Sequence, residues 1–90
     1  MRQIVVTKPG DVDVLDIRET PDPRPGDAEV VIDVAAIGIN FADVLARMGA
    51  YPDAPPIPCV VGYEVSGTVR EAGKNVTRVK PGDRVLAATR

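Results

Sequence analysis

There is no histidine and no tryptophan in these 90 residues, a single cysteine (Cys59), and only three aromatic side chains, Phe41, Tyr51 and Tyr63. Each shortage removes a class of chemistry. Without histidine, Ser/His/Asp and Cys/His nucleophilic sets are excluded. One thiol cannot close an internal disulfide, and with no imidazole beside it a zinc site has no adequate ligand set. Three aromatics give no platform on which bases could stack. The charge balance, 11 basic against 13 acidic residues for a net of −2, offers no basic footprint for nucleic acid. The apolar run Ile4-Val5-Val6 is too short for a signal-peptide core or a membrane span. The expectation is a cytoplasmic protein with no membrane anchor in this span.

Proline (9) and glycine (8) are plentiful, and they divide the chain into short strand-prone segments. A chain of this length allows one domain that buries roughly 60–65% of its unfolded surface. Ile4 to Thr7 predicts a first strand, closed by Pro9-Gly10. Val12 to Glu19 predicts a second, with apolar residues on both parities. Pro21, Pro23 and Pro25-Gly26-Asp27 end it, because proline cannot continue a hydrogen-bonded ladder. Ala28 to Ile39 is the longest candidate: Val30, Ile32 and Val34 face one way and Glu29 and Asp33 the other, the period of a half-buried strand.

A short helix follows. Phe41, Val44, Leu45 and Met48 fall at i, i+3, i+4 and i+7, one apolar face. Asn40 is its natural N-cap, Asp43 puts a carboxylate in the first turn, and Gly49 supplies the stop. Asp43 and Arg47 form an i, i+4 pair. Ala50 to Cys59 carries Pro52, Pro55, Pro56 and Pro58, which predicts a stiff extended loop. Val60 to Ala72 resumes as strand, with Val65 and Val69 on one parity. Gly62 and Gly67 mark close backbone passage or a bend, and Cys59 reads as a small buried hydrophobe. Turns at Gly73-Lys74-Asn75 and Lys80-Pro81-Gly82-Asp83 precede a last strand, Arg84 to Ala88. Many short strands between such turns give a mainly β fold, a small barrel or sandwich. No Gly-x-Gly-x-x-Gly occurs, so the chain carries no dinucleotide fingerprint of its own.

Three motifs in order, Gly38-Ile39-Asn40-Phe41-Ala42-Asp43, Gly62-Tyr63-Glu64-Val65-Ser66-Gly67 and Lys80-Pro81-Gly82-Asp83-Arg84-Val85, carry a further signal. They resemble the N-terminal GroES-like domain of the medium-chain dehydrogenase/reductase superfamily. In its zinc alcohol dehydrogenases a Cys stands at the place of Asn40 and a His at that of Tyr63, both metal ligands. An amide and a phenol replace them here, so the resemblance is to the zinc-free quinone oxidoreductase branch, including the synaptic-vesicle-membrane-protein-like reductases. It implies a partly open GroES-like β-barrel with one short helix (about 41–48), a fragment of a larger two-domain α/β reductase. Residues 1–90 would be its incomplete GroES-like domain, Arg90 the end of a fragment, and the Rossmann cofactor domain absent from this chain.

The resemblance also implies a function. The full-length protein would be a homodimer that passes hydride from NADPH, bound mainly by the Rossmann domain, to a small quinone or enone without zinc. This span alone would be inactive. Asn40 would hydrogen-bond the acceptor's carbonyl and Tyr51 would stabilise or protonate the oxyanion that forms. Phe41, Asp43, Tyr63 and Glu64 would line the substrate and cofactor cleft, with no metal ligand among them. Glu64 would serve as a structural partner for a backbone or an Arg, since a free buried carboxylate is unfavourable. Leu45 stands where some quinone reductases carry a second tyrosine. Beside these roles, Asn40 also reads as a helix cap, Asp43 as a first-turn carboxylate and Tyr51 as a loop aromatic over the prolines. An enoyl-thioester reductase would use the same fold and Tyr51. A non-catalytic GroES-like binding or ring-assembly module is the reading from another class, and the four-proline loop argues against a mobile co-chaperonin loop.

Overall fold

Short hydrogen-bonded devices at the Gly/Pro breaks set the element boundaries. In the computed structural model, which describes residues 1–89, the order is β1 (Arg2–Val6), a 3₁₀ turn (Val12–Val14), β2 (Leu15–Glu19), β3 (Val30–Ile37), α1 (Phe41–Met48), β4 (Glu64–Ala72) and β5 (Arg84–Ala88). Arg90, expected as the end of a fragment, lies outside the described residues. β1 and β2 form one antiparallel sheet, and β3, β4 and β5 form another in that order. The fold is mainly β with one short helix, and among the described residues its sheets are open rather than closed into a barrel. Two compact units result: Met1–Pro21 with Ile39–Tyr63, and Asp22–Gly38 with Glu64–Thr89.

In the first unit Val5, Val6 and Val14 are buried. Val6 also trades main-chain hydrogen bonds with Cys59, at 2.8 and 3.1 Å, which ties the end of the proline loop to β1. The strand expected from Val12 starts only at Leu15. Asp11 caps the intervening turn, its Oδ1 accepting from the Val12 N–H at 2.8 Å. The Thr7 hydroxyl and N–H both donate to the Val14 carbonyl, at 2.7 and 3.0 Å. Local side-chain bonds of this kind outcompete a ladder even among β-branched residues.

α1 has the bounds that its caps predict. Asn40 is extended (φ −113°, ψ 159°), and its N–H donates to Asp43 Oδ2 at 2.8 Å. At the other end Gly49 turns left-handed (φ 78°). Its N–H donates to the Ala46 carbonyl at 3.1 Å, and that of Ala50 to Leu45 at 2.8 Å, the Schellman arrangement. The buried face differs from the expected stripe: Ala46 is 1% exposed, whereas Phe41 is 74% and Met48 54% exposed. The loop after β1 decides this, because it docks on the last helical turn, with the Gly10 N–H donating to the Arg47 carbonyl at 3.1 Å. For the same reason Arg47 pairs with Asp11, at 3.7 Å.

In the second unit β3 and β4 pair antiparallel, with irregularities at Val31/Ile32 and Val34/Ala36. These bulges break the simple alternation expected of β3. Val31 is the buried residue and Val34 is exposed, since an extra residue on one strand turns its neighbours to the other face. β4 begins at Glu64 instead of Val60, after Gly62 at φ 142°. Its Val69 is 2% exposed. The Lys80–Asp83 turn has Pro81 and then Gly82 at φ 96°, the type II combination, closed by Asp83 N–H to Lys80 carbonyl at 3.1 Å.

Candidate active site

The ends of α1 place the predicted residues. The N-terminal cap fixes Asn40 against Asp43, and the Schellman turn delivers the chain to Tyr51 two residues after Gly49. The proline loop, anchored at Cys59 to Val6, returns so that Tyr63 meets Tyr51. Their ring centroids are 5.9 Å apart at 69°, an edge-to-face pair. Tyr51 and Tyr63 are both half-buried. Two oxygens of this group are sealed from solvent and have no hydrogen-bond partner: Asp43 Oδ1 and Tyr63 Oη.

Burial pushes the Tyr63 phenol above its ordinary 10.0, and Tyr51, Asp43, Cys59 and Asp53 push it the same way. The hydroxyl therefore keeps its proton at neutral pH and can donate a hydrogen bond. Burial likewise raises the Cys59 thiol, which is half-buried as a small apolar filler would be. Asp53 and Cys59 thus belong to the surroundings of the phenol, although neither was predicted to. Their only sequence signal is the proline loop that carries them back toward Tyr63. Arg47 was seen in the sequence only as a surface pair; its Nε is buried and unpartnered.

Phe41 and Glu64, the remaining predicted residues, are both exposed. Phe41 projects from the first turn of α1, 74% exposed. Glu64 belongs to the second unit and is exposed, not buried. Its side chain lies over Gly38, whose N–H donates to the Glu64 carbonyl at 3.4 Å. Solvent reaches the Glu64 carboxylate, so no cation is needed to hold it there. Among the described residues no three His, Cys, Asp or Glu side chains converge on a point that could hold a metal ion. An amide, a carboxylate and two phenols can bind, polarise and protonate an oxygen; they provide no activated nucleophile.

Residues 26–90 match the family described as "Alcohol dehydrogenase GroES-like domain". The chain is 50% identical over 68 residues to "Quinone oxidoreductase-like protein 2" of Mus musculus, a match covering 74% of this chain and 19% of that protein. It is 38% identical over 92 residues to "Synaptic vesicle membrane protein VAT-1 homolog" of Rattus norvegicus, covering 100% of this chain and 23% of the relative. The solved structure of Escherichia coli quinone oxidoreductase complexed with NADPH superposes with a TM-score of 0.93 at 36% identity, over 100% of this chain and 28% of that one. The chain thus spans about a fifth to a quarter of the length of these curated relatives.

Proposed function

Because the chain belongs to the alcohol dehydrogenase GroES-like domain family, we propose that it forms the acceptor side of an NADPH-dependent reductase that passes hydride to a quinone or enone without zinc. Relatives with quinone oxidoreductase names and an NADPH-bound structural neighbour support this reading. The observation that carries it is the edge-to-face contact of Tyr51 with Tyr63, whose buried hydroxyl has no hydrogen-bond partner, with a second buried, unsatisfied oxygen on Asp43 at the start of α1. Buried polar atoms are nearly always satisfied, so a ligand group is the partner such a site calls for.

NADPH would supply the hydride. The residues present fit the reacting end of a nicotinamide and its acceptor, through the orphaned oxygens of Asp43 and Tyr63. They offer no glycine-rich turn for its phosphates, which this reading assigns to a Rossmann domain elsewhere in the full-length protein. Asn40 donates its amide N–H to the acceptor's carbonyl oxygen and holds the carbonyl in line. As negative charge builds on that oxygen, the Tyr51 hydroxyl stabilises it and hands over its proton, which solvent replaces. Asp43 and Tyr63 shape the wall and exclude water, and Phe41 stands at its margin. Glu64, in the second unit, is given no step in the reaction. An amide and a phenol are poor zinc ligands, which is why the reading includes no metal.

No helix among the described residues is long and apolar enough to cross a membrane. The reading places the full-length protein in the cytoplasm as a homodimer. The test is NADPH oxidation by the purified full-length protein across quinones and enones. Turnover is expected, with Asn40→Ala and Tyr51→Phe each lowering kcat by roughly 10²-fold. The 90-residue span alone should show none. No oxidation with any acceptor, or activity that tracks bound zinc, would refute the proposal.

A further inference from the structure

Three donor side chains of the second unit share one face of its sheet. Ser66 and Thr68 are two apart on β4 and project from the same side. Arg84 on β5 is the direct register partner of Thr68 and joins them there. The three residues line one concavity of about 420 Å³, together with Ala35, Gly67 and Val85, all of them in the second unit. Arg84 is exposed and Ser66 and Thr68 are half-buried, so solvent reaches each of them. Among the described residues neither hydroxyl has a hydrogen-bond partner and Arg84 has no ion pair. The acid nearest in register is already answered. Asp33, the partner of Thr68 on β3, is held by Arg70 through Nε at 2.7 Å and through a second guanidinium nitrogen. Glu64, two residues before Ser66, lays its side chain over Gly38. The positive charge of Arg84 is thus left without a counterpart.

From this arrangement we infer that Ser66, Thr68 and Arg84 form a binding site for a small organic phosphate monoester. A guanidinium takes two oxygens of an oxyanion in parallel. A carboxylate then has no further oxygen to offer, whereas a phosphate keeps a third for the two hydroxyls. Ala35, Gly67 and Val85 add neither charge nor a side-chain donor, and the concavity has the size of a small-molecule site, with room for the organic part of the ester. The site does not depend on the reductase reading, whose residues belong to the first unit.

The test is isothermal titration of the full-length protein with phenyl phosphate, with benzoate as the carboxylate of similar size. Phenyl phosphate should bind and benzoate should bind more weakly. Arg84→Met should weaken phenyl phosphate binding by about 10–100-fold, the loss expected for hydrogen bonds between charged groups. Thr68→Val, which keeps the shape and strand preference of the side chain, should weaken it by about 2–10-fold. This variant decides if Arg84→Met does not fold. Arg78→Met removes an exposed positive charge outside the concavity and should leave binding unchanged. No binding of phenyl phosphate would overturn the inference, as would binding that neither Arg84→Met nor Thr68→Val alters. An equal loss in Arg84→Met and Arg78→Met would reduce the effect to net charge and overturn it too. Benzoate binding as tightly as phenyl phosphate would remove the assignment to a phosphate.

Discussion

Replacing Gly67 with alanine should weaken the second unit more than the same change at Gly62 or Gly82. β4 passes β3 so closely at Gly67 that an added Cβ would stand 2.1 Å from the Asp33 carbonyl oxygen and 2.9 Å from Ile32 Cγ2. The first separation is more than ~1 Å short of van der Waals contact, and its partner is main chain, which cannot swing aside. Relief requires the two strands to part beyond their usual spacing of about 4.8 Å. That would disturb the Asp33/Thr68 and Val34/Gly67 pairings. Overpacking contributes roughly 1–3 kcal/mol and a lost ladder bond about 1 more, for a total near 2–4 kcal/mol. For a domain of this size that corresponds to a fall in Tm of at least ~10 °C. Thermal unfolding followed by circular dichroism measures it, with Gly62→Ala as the control. An added Cβ at Gly62 meets no atom within 4 Å, so the penalty there comes from φ 142° alone. A Gly67→Ala protein that melts within about 2 °C of wild type would refute the close-passage argument.

Three further outcomes follow from local geometry. Gly49→Ala forces a side chain into φ 78° and brings it to 3.1 Å from Pro9, so urea unfolding should show a loss of about 1–2 kcal/mol. Hydrogen bonds from the Lys80 main-chain N–H and then its side chain hold the Asp83 carboxyl below its ordinary 3.8. Because the folded value is depressed, the stabilisation is present above pH 3.8 and disappears as pH falls through the lower folded value. Asp83→Asn should thus be less stable than wild type at neutral pH, with the gap closing in acid denaturation profiles. Tyr63 carries the opposite sign: burial, then Tyr51 and the neighbouring acids, raise its folded value above 10.0. Wild type should lose stability as pH climbs from 10.0 through that folded value, and Tyr63→Phe should not, a difference read from alkaline unfolding curves.

The parts of the fold legible in the sequence are those decided by neighbours in the chain. Asn40, Asp43 and Gly49 define α1 to the residue because capping uses groups within four positions of each helix end. The turn at Lys80–Asp83 and β5 after it follow from Pro81 and Gly82 in the same way. What escaped was decided at a distance. The buried face of β3 depends on bulges set by pairing with β4. Burial of Ala46 in place of Phe41 and Met48, and the Arg47–Asp11 pair, depend on where the loop after β1 docks. The 3₁₀ turn at Val12–Val14 had a readable signal in Asp11, which the surrounding β-branched residues obscured. In the candidate site, the choice of Asn40, Asp43, Tyr51 and Tyr63 came from the resemblance alone. The edge-to-face meeting of the two tyrosines needed the anchored loop, and the exposure of Glu64 had no signal in its motif.

An isolated helix of eight residues is unstable, since nucleation outweighs the few bonds it gains. α1 therefore exists because its two ends are fastened: Asn40 to Asp43 at one, Gly49 and Ala50 to Ala46 and Leu45 at the other. Every residue proposed to touch the acceptor sits on one of those fastenings or on the loop that follows the second and is tied to Val6. Their spacing is thus set chiefly by main-chain hydrogen bonds and only secondarily by side-chain packing. This separates two kinds of damage. Substitutions on the outer surface of α1, at Phe41 or Met48, leave the fastenings intact and should alter what the site contacts. Substitutions at Asp43 or Gly49 release an end and should displace the whole group together.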